Sequence, residues 1–205
     1  MSDSTVTQDP ATTEIPGYDY GRPEAAHSPV SLEELRQIEM ATGWTEEDAQ
    51  VLHANCDIFR SRAQEMVDSW REAIAAQPHL AKWFAGPEGK ADDEYKAAVK
   101  KRFVQWVVDT CTKPHDQTWL DYQEEIALRH MPAKKNRTDD AETPALVPLR
   151  FLIAFATVVT SRTRPFLTAA GMRGPELRSL EDAWAKTVQL AITLWSRPYV
   201  KEGLW

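Results

Sequence analysis

The chain has 205 residues, 42% of them hydrophobic, which is enough to bury one core, and a formal net charge of −7. That balance, with a pI near 5.3, argues against nucleic acid or an anionic membrane as partner, since each needs a basic face to displace counterions. Only 8 glycines, abundant Ala, Leu, Glu and Arg, and few tight-turn dipeptides predict an all-α chain.

Residues 1–30 are polar and proline-bearing without helical periodicity. They read as an N-terminal extension whose first part is flexible, although "IPGYDYG" offers Ile15, Tyr18 and Tyr20 for docking. Residues 31–205 read as a single domain. Ser31 followed by Glu34 is a capping box, and a short helix is expected over roughly 31–41. Trp44, Thr45 and Asp48 restart the pattern. Apolar spacing through Leu52, Cys56, Phe59, Ala63, Met66 and Trp70 then predicts one long or bent helix ending before Pro78.

After the loop "GPEGKADDE", a helix is expected through Tyr95, Val99, Phe103, Val107 and Thr110, with Lys96, Lys100 and Lys101 on its other face. The next should span about 116–131, burying Trp119, Tyr122, Ile126, Ala127 and His130. A polar connection, "PAKKNRTDDAETP", leads to two long helices at roughly 147–169 and 174–196. Pro165 is expected to kink the first of these, and Gly174 with Pro175 starts the second. The longest apolar run, "FLIAFATVV" at 151–159, is shorter than the ~20 residues a bilayer span takes. No basic-then-apolar leader opens the chain, so the expected location is the cytoplasm. Cys56 and Cys111 read as buried thiols.

His130 is the residue that asks for chemistry. It continues the apolar face of Trp119, Tyr122, Ile126 and Ala127, and none of the other histidines joins it at metal-ligand spacing. An imidazole buried without a partner costs about 1–3 kcal/mol, so it must meet either a hydrogen-bonding group in the core or a metal. A lone histidine suits iron already held by four porphyrin nitrogens. Val99, Phe103 and Val107, with Trp70 from the early helix and Leu152 and Phe155 from a later one, are apolar enough to line the slot that haem requires. Spacing alone leaves both readings open.

The stretches "IPGYDYG", "QPHLAKWF", "KRFVQWVVDT", "TWLDYQEEIALRHMPAKKNRTD", "PLRFLIAF" and "LWSRPYVKEG" together make the chain resemble the protoglobins, single-domain relatives of the globin-coupled sensors. The resemblance covers nearly everything from residue 15 onward. It implies an expanded globin fold, a 3-over-3 helical sandwich with an extra N-terminal helix and an extension that helps bury the prosthetic group. It further implies haem b with His130 as the iron ligand, and reversible binding of oxygen, carbon monoxide or nitric oxide. The expected haem contacts are Trp70, Val99, Arg102, Phe103, Val107, Tyr122, Ala127, Leu152 and Phe155, and the distal pocket is expected at Trp70, Arg71, Phe103 and Phe155. Val99 takes the place that many globins give a distal histidine. A homodimer through the two C-terminal long helices is also implied.

One position departs from the family pattern. Where a tyrosine usually follows the distal tryptophan, this chain has Arg71, a donor-only and always charged group. It can snorkel to solvent or a propionate, pair with an acidic side chain, or lean over the iron toward oxygen or an anionic ligand. Arg102 is the first candidate for a propionate contact and Lys135 a weaker one, while Lys100, Lys101, Lys134 and Lys135 otherwise read as a solvated face. The functional classes are therefore a gas-binding or gas-sensing haem protein, a haem enzyme using the same pocket for nitric oxide dioxygenation or peroxidase-like chemistry, and a haem-free helical interaction protein. For a sensor, the chain's end at Trp205 leaves signalling to a separate partner. For an enzyme, no distal histidine or fused reductase is evident.

Overall fold

The computed structural model describes residues 15–205, so the flexible start expected over the earliest residues lies outside the described residues. The described residues form nine α-helices joined by turns, with no strand beyond an isolated bridge between Ala85 and Ala91. The all-α reading holds. Among the described residues, no helix is long and apolar enough to cross a membrane.

Local chemistry sets the first boundaries. Helix α1 (Leu32–Thr42) starts at Ser31, whose hydroxyl accepts from the Glu34 amide while Glu34 bonds back, and it stops at Gly43 in the left-handed region. Helix α2 (Glu46–Ala54) repeats the box with Thr45 and Asp48. The run expected as one helix is then interrupted at Asn55, whose φ of −108° and ψ of 13° lie outside the helical range and whose Nδ2 donates to the Val51 carbonyl. Helix α3 (Cys56–Ala75) carries the chain on to a short α4 (Pro78–Ala81) and a 3-10 turn, Lys82–Phe84.

Helix α5 (Asp93–Thr112) is capped by Asp92 and α6 (Gln117–Leu128) by Asp116. Helix α6 ends earlier than expected, leaving His130 in the turn just beyond it. The stretch expected as one helix at 147–169 is two, α7 (Leu149–Ser161) and α8 (Arg164–Ala169). Pro165 sits in the first turn of α8, where its missing N–H removes no helical bond, so it starts a helix instead of kinking one. Helix α9 (Gly174–Ser196) closes the fold with a 3-10 turn, Arg197–Tyr199.

Helix α9 packs against α1, α2, α6, α7 and α8, while α3 packs chiefly on α5. The stripe Leu180, Ala183, Trp184, Val188, Ala191 and Trp195 of α9 meets Phe59, Met66, Val67 and Trp70 of α3 and Trp106 and Val107 of α5 in one core. A smaller cluster of Val30, Leu35, Trp119, Leu120, Leu190 and Leu194 seats α1 and the base of the extension.

The extension is strapped down along α5 and α6. Tyr18 and Tyr20 set their rings edge-on to Tyr122, at 5.3 and 5.4 Å between centroids. The Tyr18 hydroxyl donates to Asp109 at 2.7 Å, and the amides of Ala26 and Ser28 donate to Glu125 and Asp121.

Candidate functional site

Helix α6 delivers His130 by its end. The backbone N–H of His130 donates to the Ala127 carbonyl, and the His130 carbonyl accepts from the Val147 amide at 2.9 Å and from the Tyr199 hydroxyl at 3.3 Å. The residue is thus pinned between the helix end, the start of α7 and the C-terminal turn.

Its imidazole is half-buried, with the ring stacked on Trp195 at 5.8 Å between centroids. Nδ1 lies 2.9 Å from the Ile126 carbonyl oxygen. A carbonyl only accepts, so the ring proton sits on Nδ1 and the Nε2 lone pair is left available. Nε2 has no partner among the described residues. Burial away from water pulls the imidazole pKa from 6.5 to about 4, which the bond to Ile126 only partly offsets and the charges of Lys135 and Arg129 reinforce. The ring is therefore neutral at physiological pH, the form in which a histidine binds a metal.

From Trp195 the aromatic contacts continue inward. Trp106 is 5.7 Å away, Phe103 is 5.6 Å from Trp106, and Trp70 is 5.3 Å from Phe103. Trp184 lies within 6.2 Å of Trp70 and 5.8 Å of Trp106. The structure brings Trp70, Phe103, Val107, Ala127, Leu152 and Phe155 into the same core cluster. Val99 is half-buried on α5 outside that cluster, and Tyr122 lies under the extension with Tyr18 and Tyr20.

The charged candidates are differently placed. The Arg102 guanidinium grips Asp139 through two bonds of 2.9 and 2.6 Å and donates to the Pro16 carbonyl at 3.0 Å. It ties the extension to the turn after His130, and any propionate would have to share it. Lys135 is not on a solvated face: it is 4% exposed. Its Nζ donates to the Trp83 carbonyl at 3.0 Å and to the Thr143 hydroxyl, and lies 5.1 Å from the centre of the Tyr95 ring. With no carboxylate beside it, burial lowers its pKa to about 8. Lys134 pairs with Glu125 and Lys100 with Asp68 at 2.6 Å, while Lys101 is exposed.

Sequence reasoning missed the fastening beneath His130. Glu125, 1% exposed, accepts from the Arg129 Nε at 2.9 Å, from Lys134 and from the Ala26 amide. Arg129 in turn donates to the Gly17 carbonyl and, at 2.7 Å, to Asp19. Only the i, i+4 spacing of Glu125 and Arg129 signalled any of this in the sequence.

Comparison with known proteins follows the same lines. A family model described as Protoglobin matches residues 31–205. Among solved structures, the chain is similar to the globin domain of the Geobacter sulfurreducens globin-coupled sensor, with a TM-score of 0.63 at 17% identity, covering 81% of this chain and 97% of that one. At that identity the likeness is one of fold. No curated protein matches the chain.

Proposed function

Because the chain belongs to the protoglobin family, we propose that it is a haem-binding globin that reversibly takes up oxygen, carbon monoxide or nitric oxide, with haem b held by His130. The observation that carries the reading is the imidazole itself: neutral, oriented by the Ile126 carbonyl through Nδ1, and unpartnered at Nε2. Nε2 is thus the nitrogen left to meet iron, which asks one neutral imidazole of the protein.

Haem would supply an iron with one open coordination position for a diatomic ligand. This chain's residues do the rest. Phe103, Val107, Ala127, Leu152 and Phe155 would provide the apolar surface that excludes water, and Trp70, by the family resemblance, would stand on the distal side. Val99, in the place of a distal histidine, offers a ligand no imidazole. Arg102 and Lys135 are the cations nearest in role to a propionate, each already engaged as described.

Gas binding or sensing in the cytoplasm, as a homodimer through α7 and α9, completes the reading. The outward side of α7 supports the dimer, since Ile153 is 54% exposed there. The test is haemin titration of the purified protein. The wild type should acquire a sharp Soret band that shifts on reduction and again under carbon monoxide, and the His130→Ala protein should not. Equal spectra from both would sink the assignment.

A further inference from the structure

Two cations, each followed by an aromatic residue, meet on one face: Lys82 and Trp83 in the 3-10 turn after α4, and Arg150 and Phe151 in the first turn of α7. The Lys82 ammonium lies 4.6 Å from the centre of the Trp83 ring and the Arg150 guanidinium 4.7 Å from that of Phe151. The two rings are 6.4 Å apart, and the His79 imidazole stands 5.6 Å from Phe151. Each flexible cation is thus held over a ring. Lys82, Arg150 and His79 are exposed, while Trp83 and Phe151 are half-buried.

This face carries positive charge without a counter-ion. Lys82 and Arg150 form no ion pair among the described residues, although Glu142 lines the same shallow cleft of about 420 Å³ as Lys82. Arg71, half-buried on α3, is likewise without an ion pair, but it lies over no aromatic ring. Behind Trp83, the Lys135 ammonium bonds to the Trp83 carbonyl at 3.0 Å and also has no carboxylate. A chain of net charge −7 therefore keeps a local positive field here.

The face is joined to the turn that carries His130. The Lys135 amide donates at 3.0 Å to the carbonyl of Met131, the residue after His130, and the His130 carbonyl accepts from the amide of Val147, three residues before Arg150. Uptake of a diatomic ligand asks for ferrous iron, so an oxidised protein needs a one-electron donor, and this face offers one an approach beside the iron ligand. We infer that it docks an acidic electron-carrier protein, with Lys82 and Arg150 meeting carboxylates of the carrier and Trp83 and Phe151 forming the apolar centre of the contact. The negative charge of the remaining surface disfavours other orientations. One electron passes: the reduced iron–sulfur cluster of the carrier is oxidised by one, ferric iron becomes ferrous, and no bond or proton moves. The electron step rests on the haem reading above, whereas the docking step does not.

The probe is a plant-type two-iron ferredoxin, an acidic one-electron donor. Dye-labelled ferredoxin is titrated with haem-free and haem-loaded protein and followed by fluorescence anisotropy, and reduction of the ferric protein by reduced ferredoxin is followed by the Soret band. Wild type should bind in both forms at low salt and release the probe by about 1 M salt, where screening shortens to ~3 Å. Lys82→Glu, which lies off α7, should weaken binding and slow reduction by about tenfold, and adding Arg150→Glu should weaken both further. A Lys101→Glu, Arg178→Glu protein, with the same net charge as that double variant, should stay within about threefold of wild type. No binding by wild type, or equal losses in the two double variants, overturns the docking face. Reduction as fast in Lys82→Glu as in wild type overturns the carrier's role as electron donor. A chain that binds the ferredoxin but takes up no haem keeps the docking face and loses the haem reading together with the electron step.

Discussion

Nδ1 of His130 is bonded to the carbonyl oxygen of Ile126, one turn back in the chain, at 2.9 Å. The bond comes from the last turn of α6, so the helix chooses which nitrogen faces outward. Removing the ring should abolish iron ligation and leave the helices standing. His130→Gly should lose the ferrous five-coordinate spectrum, keep its far-ultraviolet circular dichroism, and regain the spectrum when free imidazole is added. A variant that needs no imidazole would place the iron on another side chain.

Glu125 is the anion on which Arg129 and Lys134 both depend. Although burial pushes its carboxyl upward, the bonds from Lys134, Ala26 and Arg129 bring it below the usual carboxylate range. Glu125→Ala leaves Lys134 without a counter-ion and Arg129 with Asp19 alone, and should cost about 1–3 kcal/mol in urea unfolding. Glu125→Gln retains an acceptor for the Ala26 amide and should cost less. Equal losses would mean the charge is irrelevant.

Lys135 gives a pH dependence of definite sign. Its pKa falls from an ordinary 10.5 to about 8 through burial. Below that lower value the amine is charged in both folded and unfolded chains, and the full penalty of burying the charge is present. Between the two values the folded protein releases its proton first, the unfolded state binds more protons, and stability rises with pH by up to ~3 kcal/mol. Buried phenols such as Tyr122, pushed up by burial, oppose the trend once unfolded tyrosine ionises. Unfolding free energies between about pH 7.5 and 9.5 should therefore climb in the wild type and flatten in Lys135→Met. Parallel slopes would assign the climb elsewhere.

Two glycines with similar backbones separate strain from collision. Gly17 and Gly43 have φ of 72° and 69°, both in the left-handed region. A methyl group on Gly43 meets nothing within 4 Å, whereas one on Gly17 would lie 2.4 Å from Thr138 Cγ2 and 2.8 Å from an Arg102 guanidinium nitrogen. Gly43→Ala should cost about 1–2 kcal/mol of backbone strain. Gly17→Ala should cost more and open residues 15–30 to limited proteolysis, which Gly43→Ala should not.

Ile153 tests the dimer. If α7 and α9 form the subunit contact, Ile153→Glu should shift sedimentation from dimer to monomer while leaving the haem spectrum alone. A wild type that sediments as a monomer at every concentration would remove the dimer from the account.

What the sequence showed most clearly was local. Ser31, Thr45 and Pro175 mark helix starts because a cap or a proline acts on its own neighbours. The break at Asn55 escaped because apolar spacing runs straight through it and neither glycine nor proline stands there. His130 was legible by its place on the apolar side of α6, although the helix stops before reaching it. Lys135 was not legible: the Trp83 carbonyl it bonds comes from 52 positions away, and a lysine beside another lysine reads as surface. The Arg102 and Asp139 pair, 37 residues apart, was hidden for the same reason.

The stacking of Trp195 on the imidazole has an optical consequence. Trp195, Trp106, Trp184 and Trp70 form a connected set of indoles that begins at the proposed iron ligand. Their ultraviolet emission overlaps the absorption of a porphyrin, so a bound macrocycle would drain their excited states. The apoprotein should glow and the loaded protein should be dark, making intrinsic fluorescence a gauge of occupancy that needs no label.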